Sequence, residues 1–566
     1  MSSRTNAAPP QLRTATGLRA SLLASWPALL VAFAFTLPFI DKAFTVDDPS
    51  FLRMAEHMLA DPLHPTAFDV VFHGRAVRAS QGVSGPVMPA LLIPAVLADG
   101  GEWLAHLTML AVFMLGIAAS AALALRLGQT MQQARVVAFL TCTSPAVLAC
   151  STTSMPDVPA MSFAVLGAER LLAFRDNASA SAGIVAALAL ALAVLSRVHV
   201  ALLLACLVPL VLNELPNSMA RWRSLLVSRS FWLRMAPLAA AVLLTALVMF
   251  LMKDPDTGDN IVRGTRQNMK LGDFVANLAS EPSLWFLSFP LGLFWTVLHG
   301  RRMLRQPWCW LGALAGISFA LARTWMRVNQ AGVADVWDPW FAPLLWEAPI
   351  AAIGMAMLTD IVLDAWQRRD PVDIALAGWL LIALPVAFYP MLVSKYLVAS
   401  APAMAVLMAK NAYAEPSSPF APKLAQLLVV WGVAFGWLIA KADADFAEIG
   451  RQAGQIAREQ IQRGERVWYD GGLGFAWYAY RAGARPVAAF KPQPTRGDVV
   501  VSVAGLEPLA TDDKTKHLIR RFAFNQPGGR VWGRFAGFWF NRNQYGLLPW
   551  QWGRFQMARI EVSRID

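Results

Sequence analysis

Two adjacent aspartates, Asp47 and Asp48, follow the first long apolar run of the sequence, in the stretch FIDKAFTVDDPSFLRMAEHML. A carboxylate at such a position can act as a general base, or it can cap the helix that follows. Asp48 precedes Pro49, and this order is typical of a helix that starts with a capping aspartate and a proline at its first position. Because one aspartate suffices for the cap, we expect the carboxylate of Asp47 to be free to accept a proton.

Further acidic and basic residues stand at the ends of other apolar runs. Asp157 lies in STTSMPDVPAMSFAVL, Arg197 separates two apolar runs in LSRVHV, and Lys395 lies in YPMLVSKYLVASAP. An aspartate before a helix is commonly a cap, and a cation at the end of a span commonly extends toward the interface. An isolated charge between tightly connected apolar helices is costly, which favours a binding role for Arg197 and Lys395. Three more candidate cations belong to one long loop: Arg263, Arg266 and Lys270.

The composition indicates which elements must hold these residues. Of the 566 residues, 56% are hydrophobic and only 15% are charged, and the mean hydropathy is +0.45. Such a chain is too apolar for a soluble globular protein. Apolar stretches suited to crossing a hydrocarbon layer of roughly 30 Å recur over most of its length. We predict an all-α polytopic membrane protein with about thirteen transmembrane helices.

The predicted organisation has three parts. Residues 1–20 form a cytoplasmic segment, residues 21–441 a transmembrane catalytic domain with a first outer loop over about 41–104, and residues 442–566 an extracytoplasmic domain. Short arginine-rich connections such as SMARWRSLLVSRSFWLR and HGRRMLRQP are expected on the cytoplasmic face, with Arg302 extending toward that interface. These connections explain much of the net charge of +12. We therefore predict a multi-pass inner (plasma) membrane protein with its candidate site outside and no nucleic-acid partner.

The tail of the sequence differs from everything before it. RVWYDGGLGFAWYAYRAGARPVAAF predicts a strand, a glycine turn, a helix and a second strand, and RGDVVVSV predicts another strand. The aromatic, glycine-rich end suggests short hairpins. DGGLGFAWY lacks the G-x-G-x-x-G spacing of a nucleotide-binding loop, so we interpret it as a strand-to-helix turn. The expected result is a small α/β domain.

Carboxylates and cations at the outer membrane boundary suit sugar transfer from a lipid-linked phosphate. A carboxylate takes the proton of an acceptor hydroxyl as it attacks the anomeric carbon, and a lysine or arginine offsets charge on the departing phosphate. A polyprenyl carrier fits because its tail can lie between helices. We predict an inverting membrane glycosyltransferase, which transfers a hexosyl or pentosyl group from a polyprenyl-phosphate donor to a lipid, glycan or protein acceptor.

The order of these motifs resembles a known family. An outer D-D with A-E soon after it, a later SMPD that opens a span, and SKYLVASAPAMAVL late in the bundle are similar to GT-C glycosyltransferases. More narrowly, they resemble glycosyltransferase family 39 and the lipid A aminoarabinose transferases, including bacterial relatives of the protein O-mannosyltransferases. The resemblance covers roughly the first 410 residues.

This resemblance implies roles for individual residues. In the family, the first acidic residue of the outer pair acts on the acceptor, which here is Asp47, and Asp157 matches a second acidic position. Lys395 and Tyr396 match a basic and aromatic pair that opens a late span, where contact with the donor phosphate or sugar is expected. The stretch SGPVMPALLIPAV departs from a more proline-rich stretch of relatives, which leaves the acceptor assignment open.

The first outer loop also contains three histidines, His57, His64 and His73. Their spacing, with intervening prolines, is not a metal-ligand pattern, and no D-x-D motif lies near Asp47. Members of the family differ in whether they need a divalent ion. We predict no catalytic metal and no cofactor.

Two other function classes remain as alternatives. A transporter or flippase of lipid-linked or envelope precursors favours ionisable residues at the middle of the membrane and broken helices in repeated halves. Neither is clear in the sequence. A scaffold for an assembly would need none of Asp47, Asp157 or Lys395.

Overall fold

The computed structural model describes residues 17–566 except 73–74, 83–84, 213–214, 217, 258–268, 332–346, 390–391, 414–419, 488–492, 505–515, 526–529, 532–551 and 554–555. Within the described residues the chain is mostly helical, and its main sheet is formed by residues near the C-terminus. This agrees with the predicted helical membrane protein with a small α/β tail.

Helices that suit a membrane span by length and composition form the main body. Their bounds are Leu18–Phe39, Glu102–Arg126, Arg229–Leu251, Glu347–Arg368, Pro371–Phe388 and Phe420–Gln462. Two bent pairs raise the number from six to as many as eight: Met131–Thr143 with Pro145–Ser151, and Ser280–Leu287 with Leu291–Arg305.

The remaining helices are shorter or more polar, or lie outside the main body. They are Asp48–Ala60, Ala79–Gly82, Val87–Leu97, Asp157–Asn177, Ala180–Ser196, Val198–Val200, Ala201–Cys206, Val208–Val211, Met219–Leu226, Leu271–Asn277, Pro307–Ala331, Ser394–Ser400, Ala401–Ala412 and Leu473–Arg481. Several coincide with predicted spans, yet the number thirteen is not established by them. Length and composition identify six to eight spans in the described part of the chain.

Prolines account for both bends. In the first pair, Pro145 follows Ser144, whose backbone is extended, and the two helices meet at 61°. In the second pair, Pro290 separates helices that meet at 96°. Proline lacks the N–H that would continue the helical hydrogen bonds, and it disfavours a helical backbone at the preceding residue. Hydrophobicity alone does not report such a bend, because each pair taken together is apolar enough for one span.

Small residues allow the helices around Asp157–Asn177 to approach closely. A Cβ on Gly167 of this helix would lie 2.6 Å from Cγ of Leu190 on Ala180–Ser196. On the other side, a Cβ on Gly116 would overlap Ser162. Small residues at such positions are characteristic of packing between membrane helices. This packing fixes Asp157 at one end of the bundle.

The helix Phe420–Gln462 contains 43 residues and links the bundle to the tail. At 1.5 Å per residue it is about 65 Å long, roughly twice the thickness of the hydrocarbon layer. The helix passes position 441 without a break, so the domain boundary predicted there lies inside a continuous helix.

The tail forms a five-stranded mixed sheet. The strands are β3 (Val467–Asp470), β4 (Arg485–Pro486), β5 (Val499–Ala504), β6 (Lys516–Asn525) and β9 (Gln556–Ile565), in the order β4-β3-β5-β9-β6. β3 is parallel to both neighbours, and the helix Leu473–Arg481 connects it to β4. The predicted order of strand, turn, helix and strand is therefore confirmed.

Two smaller pairs of strands complete the described sheets. β1 (Asp69–Phe72) and β2 (Arg75–Arg78) form an antiparallel pair in the segment that was predicted to be the first outer loop. β7 (Arg530–Val531) and β8 (Trp552–Gly553) pair near the C-terminus. Most of the aromatic stretch predicted as hairpins lies outside the described residues.

Candidate functional site

Asp48 is the first residue of the helix Asp48–Ala60, and its carboxylate is fully buried. It accepts hydrogen bonds from the backbone N–H of Thr45, at 2.9 Å, and of Ser154, at 3.0 Å. The predicted cap at Asp48 is wrong in its geometry, because these amides lie before the helix and on a distant segment. The expectation that backbone amides occupy Asp48 is nevertheless correct.

Asp47 stands at the N-cap position of that helix but makes no capping bond with its side chain. Its Oδ2 lies 3.2 Å from Nζ of Lys395. The Asp47 side chain is 40% exposed and that of Lys395 only 7%. A carboxylate that solvent can reach therefore meets an almost buried ammonium, and the structure brings together two residues that the sequence nominated separately.

Lys395 is held by a short helical turn. Ser394–Ser400 forms a 3₁₀-helix that leads into Ala401–Ala412, with Pro402 in the first turn of the second helix. The side chain of Ser394 is hydrogen-bonded to that of Ser288, at 2.5 Å, beside the bend of the second broken helix pair. The bend thus supports the segment that carries Lys395.

Asp157 and Arg197 form a buried two-point ion pair. Nε and Nη2 of Arg197 donate to the two carboxylate oxygens of Asp157, at 3.0 and 2.8 Å. Asp157 opens the helix Asp157–Asn177, and Arg197 follows Ala180–Ser196. Planar guanidinium and carboxylate groups match each other in this arrangement. Asp157, predicted as a catalytic carboxylate, and Arg197, predicted as a ligand of the donor phosphate, are therefore partners in this structure.

The ring of Tyr396 lies between the two cations. Its centroid is 5.2 Å from Cζ of Arg197 and 5.7 Å from Nζ of Lys395. His199, which the sequence reasoning missed, packs edge-on against the same ring, with 5.7 Å between centroids. Its Nε2 lies 3.2 Å from the carbonyl oxygen of Tyr396. In the sequence, only its position two residues after Arg197 pointed to a place for His199 in this site. We call Asp47, Asp157, Arg197, Lys395 and Tyr396 the charged cluster.

Of the three loop cations the structure describes only Lys270, and its described contacts do not reach the charged cluster. Lys270 is exposed, and its backbone N–H donates to the carbonyl oxygen of Phe388 at 2.8 Å. Arg263 and Arg266 lie outside the described residues. Their predicted role in phosphate binding stays a prediction.

Lys42 is a second residue that the sequence reasoning missed, although it lies in the stretch around Asp47. Its ammonium is buried, forms an ion pair with Asp443 and donates to the carbonyl oxygen of Thr152 at 3.0 Å. Burial raises the pKa of Asp48 to about 7, against the opposing effects of Lys42 and the Thr45 amide. Asp48 is thus fully buried and lies within the electrostatic influence of the Lys42–Asp443 pair.

The histidines of the first loop do not converge. Nδ1 of His64 lies 2.9 Å from a carboxylate oxygen of Asp61, and the His57 ring packs on Phe68 with 5.0 Å between centroids. His73 lies outside the described residues. Among the residues that the structure describes, no group of three or more histidine, cysteine or acidic residues is arranged to hold a metal.

At the opposite end of the bundle, the expected interfacial extension of Arg302 is wrong. Its guanidinium forms ion pairs with Asp360 and Asp364 on the helix Glu347–Arg368. Arg301 and Arg305 of the same helix end are exposed. Hydrophobicity patterns locate a basic residue at a helix end, but its partner depends on which helix packs beside it.

Solved structures that match this chain at low similarity include three crystal structures. ArnT from Cupriavidus metallidurans bound to undecaprenyl phosphate is 14% identical over 82% of this chain and 74% of that one, with a TM-score of 0.38. The same protein in the apo state is 14% identical over 85% and 92%, with a TM-score of 0.38. The Archaeoglobus fulgidus oligosaccharyltransferase in complex with Zn and sulfate is 16% identical over 67% and 53%, with a TM-score of 0.29. No protein-family model and no curated protein matches the sequence.

Proposed function

We propose that this protein is an inverting glycosyltransferase that moves a sugar from a polyprenyl-phosphate donor to the hydroxyl of an acceptor. The observation that carries the proposal is the contact between Asp47, which is partly exposed, and Lys395, which is almost buried. A buried ammonium among apolar helices is costly and is retained where an anion can bind. A polyprenyl phosphate supplies both the anion and a tail that suits the helical bundle.

In the proposed reaction, the carboxylate of Asp47 takes the proton of the acceptor hydroxyl. The acceptor oxygen attacks the anomeric carbon as the bond from that carbon to the phosphate oxygen breaks. The electron pair of the broken bond leaves with the polyprenyl phosphate, and a single displacement inverts the anomeric configuration. Lys395 offsets the charge on the leaving phosphate, which is the type of electrostatic stabilisation that accelerates such transfers most.

The Asp47–Lys395 contact also suggests an order of binding. In the structure the ammonium of Lys395 faces the carboxylate of Asp47. A donor phosphate beside Lys395 would compete with that carboxylate for the same charge. Donor binding would then release Asp47 toward the acceptor, so that the base becomes available only when a sugar is in place.

Asp157 and Arg197 have a supporting role in this proposal. Nε and Nη2 of Arg197 donate to Asp157, and the Arg197 guanidinium lies over the ring of Tyr396. The pair holds Tyr396 and the start of the Lys395 turn in place. Asp157 is thereby a positioning residue, while Arg197 and Tyr396 border the space beside Lys395.

We propose that the charged cluster and the C-terminal sheet face the extracytoplasmic side of the inner (plasma) membrane. The opposite end of the bundle carries exposed arginines, including Arg221, Arg301 and Arg305. Basic residues in short connections favour the cytoplasmic side. Lipid-linked sugars are the donors suited to the outer side, and the acceptor is a lipid, a glycan or a protein.

Transfer of radiolabelled sugar from a panel of polyprenyl-phosphate sugars by the protein in proteoliposomes tests this function. We expect transfer by the wild type and a loss of roughly 10² to 10⁴-fold in Asp47→Asn, the usual contribution of a positioned base. A rate in Asp47→Asn above about a tenth of wild type contradicts the assignment.

One observation favours the alternative of a transporter or flippase. Broken helices, which were not clear in the sequence, are present as the pairs bent by 61° and 96°. The second pair also contains the buried carboxylate of Glu281. Movement of the same labelled lipids between leaflets, measured without acceptor, distinguishes the two functions. Lipid movement without sugar transfer, in both wild type and Asp47→Asn, would support the transporter.

A further inference from the structure

The segment Phe44–Asp48 has a backbone conformation that its sequence disfavours. Val46, which is buried and directly precedes Asp47, has a φ of 48°. A β-branched residue in this left-handed region is a steric outlier, since its Cβ crowds the backbone. Such a conformation persists only where the surroundings determine it, and it is found preferentially at functional sites.

The C-terminal unit, by which we mean the part of the chain that follows the long helix Phe420–Gln462, supplies one of the contacts that hold this segment. Tyr478, on the helix Leu473–Arg481, accepts a hydrogen bond from the backbone N–H of Phe44 at 2.8 Å. Its hydroxyl donates in turn to Oε1 of Glu102, also at 2.8 Å. Burial raises the pKa of Tyr478 well above its usual range, so the hydroxyl keeps the proton that this donation needs.

The same helix approaches the backbone of the segment directly. A Cβ on Gly474 would overlap the carbonyl oxygen of Phe44 and lie 3.2 Å from Cα of Thr45. The ring of Trp477 packs edge-on against that of Phe44, with 6.1 Å between centroids. Only glycine permits such a close approach of the two backbones. The interface therefore depends on the shape of the backbone as well as on apolar side chains.

The long helix Phe420–Gln462 anchors the residues just before the segment. Arg451 donates to the carbonyl oxygen of Asp41 at 2.7 Å, and Asp443 forms the buried ion pair with Lys42. Arg451 also reaches Glu102, the acceptor of Tyr478. Residues 41–44 are therefore held in part by groups from the C-terminal part of the chain, in addition to the contact between Lys42 and the Thr152 carbonyl oxygen.

We propose that the C-terminal unit is a positioning element for Asp47, in which Tyr478 and Gly474 hold the segment Phe44–Asp48 with Val46 in its strained conformation. The carboxylate of Asp47 is thereby presented to Lys395. This inference rests on the proposed function for the role of Asp47. It assigns the unit a task in the transfer step, beyond stabilising the fold.

The test compares single and double variants of the full-length protein in proteoliposomes. Tyr478→Phe leaves the Phe44 N–H without its acceptor, and we expect kcat to fall roughly ten-fold, the effect of one unpaired buried donor. Adding Val46→Gly removes the Cβ that makes the conformation costly, so the double variant should recover most of the lost rate. Tyr480→Phe is the matched control, because it makes the same change on the same helix and keeps the ring over Arg53.

Hydrogen–deuterium exchange of peptides covering residues 41–50 gives a readout that needs no activity. We expect faster exchange in Tyr478→Phe than in wild type, and no change in Tyr480→Phe. Unchanged exchange and an unchanged kcat in Tyr478→Phe overturn the proposal, even if Asp47→Asn is inactive. A loss of rate that Val46→Gly does not recover also overturns it, because the loss then reflects general destabilisation. If Asp47→Asn is active, the proposed function fails, and exchange still decides whether Tyr478 holds the segment.

Discussion

Asp47 and Lys395 are separated by 348 residues in the chain, yet 3.2 Å separates Oδ2 of the aspartate from Nζ of the lysine. Asp47 directly precedes the early helix Asp48–Ala60, whereas Lys395 lies in the much later 3₁₀-helix Ser394–Ser400. An anion that binds Lys395 must therefore compete with Asp47, and this competition is the basis of the first prediction.

Replacing Lys395 with methionine should weaken use of the donor. We expect Lys395→Met to raise the apparent KM for the lipid-linked donor, or to lower kcat at saturating donor, by roughly ten- to hundred-fold, the value of one charge-assisted contact. Lys395→Arg should restore part of the loss. Initial rates over a range of donor concentrations measure both effects.

Arg305→Met is the control for this experiment, because Arg305 is exposed at the opposite end of the bundle. It should alter neither parameter. Normal turnover of Lys395→Met at low donor concentration would place the phosphate elsewhere and would turn attention to Lys270 and its loop.

Removing one partner of the Asp157–Arg197 pair should destabilise the protein strongly. Each single variant removes a charged partner from a buried group, and breaking a buried ion pair costs about 3–5 kcal/mol. We expect Arg197→Met and Asp157→Leu each to lower the thermal unfolding midpoint in detergent. The double variant should regain much of that stability, since no buried charge is left alone.

Sugar transfer by the same double variant separates folding from function. If the pair only stabilises the helices, the double variant should transfer sugar at the wild-type rate. We expect it to remain slow, because the guanidinium that lies over the ring of Tyr396 is missing.

Asp48 should make stability depend on pH in the neutral range. Burial raises its pKa to about 7, whereas an aspartate in the unfolded chain titrates near 4. Between about pH 4 and 7 the folded protein keeps a proton that the unfolded chain releases, so the free energy of unfolding falls as the pH rises. Asp48→Asn should reduce this slope in unfolding midpoints measured at several pH values.

Asp61→Asn provides the comparison. The side chain of Asp61 is 44% exposed, and its hydrogen bond to His64 lowers the pKa of its carboxyl group. Its contribution is present above the unfolded pKa and is lost only at lower pH. The slope between pH 4 and 7 should therefore be unchanged in Asp61→Asn, whereas an unchanged slope in Asp48→Asn would contradict the assignment to Asp48.

Gly474→Ala should disturb the contact between the C-terminal unit and the segment before Asp47. The added Cβ would overlap the Phe44 carbonyl oxygen, which is backbone and cannot rotate away. Gly472→Ala is the matched control two residues earlier, since a Cβ there has no neighbour within 4 Å. The thermal unfolding midpoint and the rate of sugar transfer should both fall in Gly474→Ala. Both should stay near the wild-type values in Gly472→Ala. Equal midpoints and rates in the two variants would show that the contact with Phe44 does not require glycine at position 474.

Several features were predictable because they depend on neighbouring residues in the sequence. Hydrophobic runs of about twenty residues determine that helices such as Glu102–Arg126 suit a membrane, and alternation of β-branched residues determines that Val499–Ala504 is a strand. The nomination of Asp47 and Lys395 also came from local context, since a charge beside an apolar run is costly wherever it lies.

Only the tertiary structure decided what those charges contact. The carboxylate of Asp48 binds the amide of Ser154, Arg197 binds Asp157, and Tyr478 binds the backbone of Phe44. These partners lie tens to hundreds of residues apart, and helical periodicity carries no information about which helices become neighbours. The sequence by itself therefore determined the helices and the candidate charges, whereas packing determined their partners, because long-range contacts depend on the shapes of whole helix faces.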